Sequence, residues 1–419
     1  MLSLLVRQDH FSVPPFFRFS CFGYVCGRAK FSALSAFLAF LLGSLLLTGE
    51  ARACPICGVP TVTLSERYAR ADVALLVEWV SARPSKGQKP ESTTFEIVQV
   101  QRDLLGTYTA GSRISVESYT QGKAGDLFLL LGSKDEKQGV KWQGLPFPVT
   151  ETSFQYIVQA PPPESAAEKR LGYFVKFLEF SDLTIANDAF AEFVNAPTKD
   201  IVAIAERLPK DKLRRWLADA KTPISRQAGY GLMLGLCGGA DEARFLEKRI
   251  MADDPDRQIG LEGLMFGYLL LTGDEGLDVL EKTWLANPEA EDGAVYPAVK
   301  AVRYYWSYGN GKIPPERLQA AMRPLVDRPA LADSALTDLA RWKDWSLQER
   351  LMELYGTGNF ESDDAKKAII EYLIASTKDL PKDAKEPPEH VVAGRKHLEE
   401  LRRRDPKLVA TAEKYFLLK

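Results

Sequence analysis

The chain has 419 residues, 46% hydrophobic and 26% charged, with 54 basic side chains set against 56 acidic ones. That balance fits an ordinary globular protein of two or three domains. Only three histidines occur, which disfavours Ser-His, Cys-His and multi-histidine metal mechanisms.

Residues 32–48 carry no charge and are dense in Leu, Ala and Phe. Arg28 and Lys30 precede them, and Ala51-Arg52-Ala53 follows. A basic region, an apolar region and a small-x-small site in that order predict a secretory signal cut after Ala53. The uncharged residues 31–49 are also long enough for the alternative, an uncleaved membrane anchor. Residues 1–24 are aromatic and contain Pro14-Pro15; they read as an over-extended start and receive no structural role. Removal of residues 1–53 leaves 49 of the 54 basic and 54 of the 56 acidic residues, a net charge of −5. Nucleic acid and anionic membrane surfaces are therefore not expected as partners. Cys54, Cys57 and Cys237 remain in the mature chain. An exported compartment permits disulfides, but so few cysteines leave the fold to rest on its core.

The stretch of three prolines at 161–163 stops helices and central strands, so residues 160–168 are expected to be a linker. Before it, residues 64–71 fit a short helix. Residues 72–80, 94–100, 113–118 and 126–131 are strand-length apolar or alternating runs bounded by Gly and polar clusters. Residues 140–142 and 154–158 read as further strands. Five or six short strands predict a small antiparallel barrel over 54–159, because closure removes exposed edges.

After the linker, from 169 to 419, the pattern is helical. Residues 183–196, 200–208, 210–218 and 365–375 show apolar spacing of three and four. Ser346 and Glu349 have capping-box spacing, and Pro314-Pro315 suits a helix start. The segment from Gly231 through Gly238-Gly239 to Lys248 is echoed by Gly267, Gly273 and Lys282, at offsets of 36 and 34 residues. Weaker copies cover 298–326 and 332–355. A helix, a short turn and a second helix, repeated, predict a HEAT-like array in which neighbours bury faces that no single hairpin could.

Cys54-Pro55-Ile56-Cys57 is the strongest chemical motif. A thioredoxin-type pair needs a core strand before it and a helix after it; here a leader precedes and Gly58-Val59-Pro60 follows. Haem attachment needs His where Gly58 stands, and structural zinc needs four ligands, without a second CxxC or a nearby His to complete them. A local or tethering disulfide between Cys54 and Cys57 is the expected use, with thiol-disulfide exchange as an alternative. Cys237 reads as a buried free thiol. His390 and His397, seven apart, are expected to be solvated. Asp253-Asp254 and Asp363-Asp364 read as helix-start carboxylates, Arg402-Arg403-Arg404 as a complement to a helix C-terminus, and Tyr304-Tyr305-Trp306 as core. Residues 309–312 (Gly-Asn-Gly-Lys) are too short for a phosphate-binding loop. No cofactor, intrinsic metal or enzymatic activity is expected.

Residues 54–159 combine an N-terminal cysteine, a short helix, a hydrophobic strand, a Phe95-Glu96-Ile97 strand ending in Leu105-Gly106, and a Gly125-to-Gly132 run of Asp-Leu-Phe-Leu-Leu-Leu. In this order they resemble the netrin-like domain of tissue inhibitors of metalloproteinases and their bacterial relatives, an OB-type barrel. The resemblance implies that the α-amino group and carbonyl of Cys54 chelate the catalytic zinc of a target protease, with Pro55 and Ile56 next to it. The family separates its first cysteines by one residue and bonds them to cysteines of the barrel; here two residues intervene and residues 58–236 contain no cysteine.

The reading is thus of an exported, periplasmic or secreted protein in which a netrin-like barrel precedes a HEAT-like array. It acts as a protein-interaction scaffold with an unknown protein partner. The alternative is an inhibitor of an extracytoplasmic zinc metalloprotease acting through Cys54. The signal reading has a direct check: intact-mass measurement of exported protein is expected to place Cys54 first. A mass retaining residues 31–49 would replace the cut with an anchor.

Overall fold

The structure is a computed structural model that describes residues 62–86, 90–137, 139–252, 259–381 and 386–416. A short helix, α1 (Leu64–Ala69), leads into β1 (Val73–Arg83), β2 (Ser92–Asp103), β3 (Arg113–Val116), β4 (Leu127–Asp135), β5 (Gly139–Trp142) and β6 (Phe147–Val149). These form one antiparallel six-stranded sheet in the order β3-β2-β1-β4-β5, with β6 also on β4. β5 lies against residues 132–135 of β4 and β6 against residues 127–129, so the two make one interrupted edge strand.

The long apolar runs of β1 and β4 follow from burial on both faces. Ala74, Leu76, Leu129 and Leu131 face the helices, whereas Val73, Leu75, Val77, Phe128 and Leu130 face a second, smaller core. β2 alternates instead: Phe95 and Ile97 are buried while Glu96 and Val98 are exposed. Full burial of a side chain such as Phe95 contributes about 1.5–3 kcal/mol.

The expected barrel is corrected to an open sheet. Its path would close only if β3 paired with β5, and no such ladder forms among the described residues. The chain after β3 is drawn elsewhere. Trp79 Nε1 donates to the Thr120 carbonyl at 3.0 Å, and Thr93 Oγ1 donates to the Ser118 carbonyl at 2.7 Å. Gly122 lies under the indole, where a Cβ would meet Trp79 Cδ1 at 2.6 Å. On the other side Pro148, which has no N–H to give, sits in β6, as an edge strand allows.

The strand expected at 154–158 is a helix, α2 (Glu151–Gln159). Thr150 and Ser153 close a capping box, and Phe154 and Ile157 then fall on one buried face. Of the three prolines, Pro161 is buried, Pro163 half-buried and Pro162 exposed. Tyr156 of α2 stacks on Tyr173 of α3 (Ala167–Phe174) at 5.9 Å, so one core runs past the prolines.

The helices continue as α4 (Leu183–Val194), α5 (Thr198–Ala203), α6 (Lys210–Ala218), α7 (Gln227–Cys237), α8 (Ala240–Ile250), α9 (Leu261–Thr272), α10 (Asp274–Leu280), α11 (Asp292–Tyr308), α12 (Pro315–Met322), α13 (Ala332–Arg341), α14 (Gln348–Leu354), α15 (Asp363–Lys378), α16 (Glu389–Arg404) and α17 (Pro406–Phe416). A π-helical turn, Glu281–Leu285, extends α10. Pro315 opens α12 at its first position, and Ser362 caps α15 ahead of Asp363 and Asp364. Gly273, at φ +64°, makes the one-residue reversal between α9 and α10. Residues 309–312 staple the next turn onto the end of α9: Asn310 Nδ2 donates to the Leu270 carbonyl at 2.8 Å and Lys312 Nζ to the Leu271 carbonyl at 2.9 Å. These bonds satisfy carbonyls that a helix end leaves open.

Three expectations change. Ser346 and Glu349 form no capping box: Ser346 Oγ donates to Asp344 Oδ1 at 2.7 Å, and Leu347 is the N-cap without a side-chain bond. Glu349 instead meets His397 Nε2 at 3.1 Å. His397 is therefore buried rather than solvated, and His390 is half-buried, stacked on Trp345 at 5.9 Å. Trp306 meets the core expectation by stacking on Trp342 at 4.4 Å. Asp253 and Asp254 lie outside the described residues.

α7 and α9 cross backbone to backbone. Gly231 and Gly235 of α7 face Gly263 and Gly267 of α9; a Cβ on Gly231 would stand 2.8 Å from the Gly263 carbonyl carbon, and one on Gly235 or Gly267 would stand closer still to the facing glycine. Such a clash is with backbone, which no rotamer relieves. Gly267→Ala or Gly235→Ala is therefore expected to destabilise the chain by about 3 kcal/mol or more. Gly293→Ala in α11, where nothing lies within 4 Å, is expected to be neutral or stabilising by roughly 0.5–1 kcal/mol. Urea unfolding midpoints of the three variants check this.

Candidate functional site

The open side of the sheet is a seam. On one wall runs the chain 115–121, from β3 into the segment pinned by Trp79; on the other runs 140–149, from β5 to β6. Two clefts, of about 580 and 510 Å³, occupy it and meet at Pro146. In the first, buried Val116 and Leu130 form the floor with half-buried Trp142, while Ser115 and Lys141 make an exposed polar rim. In the second, Phe128 and Val149 lie below, and Tyr119 and Leu145 stand at the rim, 43% and 67% exposed. Tyr108 closes one end, its ring 6.1 Å from that of Trp142. The outer edges of β3 and β5 carry no strand partner among the described residues, so a strand-shaped space lies between two unpaired edges.

Behind the other face of the sheet lies a buried polar cluster that fixes the start of the described chain. α4 is apolar apart from a few positions, yet Asp188 and Glu192, one turn apart, are 8% and 1% exposed. Asp188 Oδ1 accepts the Leu64 backbone N–H at 2.7 Å and Oδ2 accepts the Tyr156 hydroxyl at 2.8 Å. Glu192 accepts the Ser65 hydroxyl and, at 2.6 Å, Nη1 of Arg170, itself 9% exposed. Burial pushes the Asp188 carboxyl up to about 6, against the lowering effect of its two donors; the Glu192 and Glu66 charges add to the rise. Burial, with Asp188 alongside, pushes the Tyr156 phenol far above its ordinary value.

A second cluster faces the helices. Arg226, 2% exposed, donates to the Leu178 carbonyl at 2.9 Å and to Asn187 Oδ1 at 2.6 Å, and pairs with Glu179. Tyr230 donates to the same Glu179 carboxylate at 2.5 Å. Each charge here has partners, as burial requires. The arrangement is a mechanical clamp.

Cys54, Pro55, Ile56 and Cys57 lie outside the described residues. Cys237 is a free, half-buried thiol, and burial pushes it up to about 11, which leaves it protonated and weakly nucleophilic at neutral pH. Among the described residues no group of three or more His, Cys, Asp and Glu side chains could hold a metal ion, and no helix is long and apolar enough to cross a membrane. Asp188, Glu192, Arg170 and Arg226 were not singled out from sequence. The available signal was an acidic pair at i and i+4 inside LTIANDAFAEFV, a helix whose other faces are apolar. No family model, curated protein or solved structure matches the chain.

The clamp has a pH signature. Asp188 holds its proton more tightly folded, at about 6, than at its ordinary 3.8, so its contribution to stability is complete below about pH 4 and is lost as pH rises through 6. Asp188→Asn removes that titration and keeps a carbonyl for the Leu64 N–H. The stability difference, variant minus wild type, is expected to grow by up to roughly 3 kcal/mol between about pH 4 and pH 7. Urea unfolding at a series of pH values measures it, and a flat difference would contradict the assignment.

Proposed function

We propose that this chain is an exported, non-enzymatic protein-interaction scaffold that takes up an extended segment of a partner protein along the seam of its open sheet. The N-terminal unit reads as a netrin-like, OB-type sheet and the helix pairs behind it as a HEAT-like array. The single observation that carries the proposal is the pair of unpaired edges, β3 and β5, facing each other across a floor of buried apolar side chains. Strand addition uses these parts: backbone groups of an edge give affinity, and pockets for alternate side chains give selectivity. The two clefts either side of Pro146 fit alternate inward-facing apolar residues of one incoming strand. The polar rim at Ser115 and Lys141 suits the outward-facing ones. The clamp on α4 and the helices behind it hold the sheet rigid, so little order need be gained on docking.

The test uses the full exported chain and a fluorescent octapeptide of alternating valine and threonine, read by anisotropy. Saturable binding is expected, weakened about tenfold or more by Leu145→Asp or Tyr119→Ala, both at exposed rim positions where folding is not at stake. Lys134→Glu, on an exposed part of β4, is expected to leave it unchanged. Absence of binding, or equal loss in all three variants, would refute the seam as the binding site.

A further inference from the structure

A second groove, of about 750 Å³, lies where the proline stretch meets α3 and α6, away from the sheet's seam. Four cations line it: Lys169, Lys176, Arg207 and Lys212, all exposed. None of the four forms an ion pair among the described residues, although most of the buried and half-buried arginines elsewhere are matched to carboxylates. The lining also holds one carboxylate, that of exposed Glu168, whose backbone carbonyl accepts from Arg207 Nη1 at 3.0 Å. The guanidinium is thus laid across α3 with the rest of its fork free for an incoming anion.

The groove is also structured. Tyr173 forms part of its wall and is held by donating its hydroxyl to the Tyr156 carbonyl at 2.7 Å. Burial pushes that phenol up to about 12, so it stays neutral and adds no negative charge. Pro161, buried, fixes the opposite side without an N–H of its own. Four cations against one carboxylate, beside an aromatic ring, give this lining a charge opposite in sign to the net −2 of the chain. Like charges held together without counter-charges repel, so the arrangement is stabilised by an anionic occupant.

We propose that this groove binds a carboxylate-rich extended peptide segment of a partner protein. Its cations are spread over two stretches of chain, 169–176 and 207–212, which favours a peptide with several spaced carboxylates over a compact anion that one basic pocket would enclose. Lys169 and Lys176 flank one side of the path and Arg207 and Lys212 the other. Carboxylates alternating along a strand therefore meet cations on both walls, and aliphatic parts of the peptide lie against Tyr173.

The probe is a fluorescent hexapeptide of alternating aspartate and glutamate, titrated into the full chain at low salt. Binding is expected and is expected to weaken about tenfold or more as salt rises from about 0.05 M to about 0.5 M. Lys176→Glu with Lys212→Glu is expected to weaken it by at least about tenfold, while Lys134→Glu on β4 changes nothing. Thermal melts of each variant monitor folding, and the salt series on wild type stands whether or not the double variant folds. Salt-insensitive binding, equal binding by the double variant, or no binding would overturn the proposal. So would complete displacement by citrate at matched total charge, since it would assign the groove to a compact anion. Loss of the valine-threonine peptide's binding leaves this result untouched, because the two probes report on separate surfaces.

Discussion

Two carboxylates buried in one helix hold the chain together. Asp188 and Glu192 project from α4 toward the first turn of α1 and the hydroxyl of Tyr156, while Asn187 on the same helix meets Arg226, just before α7. A charge taken out of water must be met by donors or neutralised, and here it is met from three separate stretches of chain. The geometry of each stretch is thereby set by the others. Residues 63–65 cannot move off α4 without taking one of two donors from each buried carboxylate, nor can α2 rotate without withdrawing a phenol from Asp188. Around them, Tyr156, Tyr173, Phe174 and Phe177 pack ring against ring in the apolar core. The polar pairs decide which of many apolar packings is adopted.

On this frame the surface divides by chemistry. The seam of the sheet offers unpaired backbone over an apolar floor, a surface for shape and side-chain size. The groove beside the prolines offers unmatched cations, a surface for charge. Both lie in or next to the first half of the described chain, and the helices beyond α7 are concerned mainly with one another. Ion pairs tie α11 to α13 through Arg303 and Asp338, and the end of α12 to the chain after α13 through Arg323 and Asp344, at 2.5 and 2.8 Å.

Much of the local structure was legible from periodicity. The doubly buried runs of β1 and β4 and the alternation of β2 could be read directly, as could the starts at Pro315 and the turns at Gly273 and Asn310. What escaped had a physical cause in each case. Residues 154–158 alternate like a strand, and only the hydroxyl pair Thr150 and Ser153, which can satisfy free amides, commits them to a helix. Ser346 and Glu349 have capping spacing but are claimed by Asp344 and His397, partners distant or unremarkable in sequence. Closure of the sheet failed on an indole bond from Trp79 to Thr120, 41 residues apart. The seam and the basic groove are products of that tertiary arrangement; no contiguous motif encodes either. The repeat of glycines around 231 and 267 was visible, but its meaning was contact, not just periodicity, with Gly231 facing Gly263 as well as Gly267.

That crossing also governs the order in which the helices can come into being. Glycine holds a helix poorly, at roughly 1 kcal/mol per residue relative to alanine, and α7 carries Gly229, Gly231 and Gly235 while α9 carries Gly263 and Gly267. Neither segment has much reason to coil by itself; each gains its stability on meeting the other, where the absence of side chains means that no rotamers are frozen. During synthesis or refolding, α7 therefore waits for the chain some thirty residues downstream, and the two segments are expected to become helical in a single kinetic event. The neighbouring helices α6 and α8 carry no glycine and can coil earlier. The helical region is thus expected to assemble around this crossing rather than from an end, at a rate set by one docking step between two glycine-bearing segments.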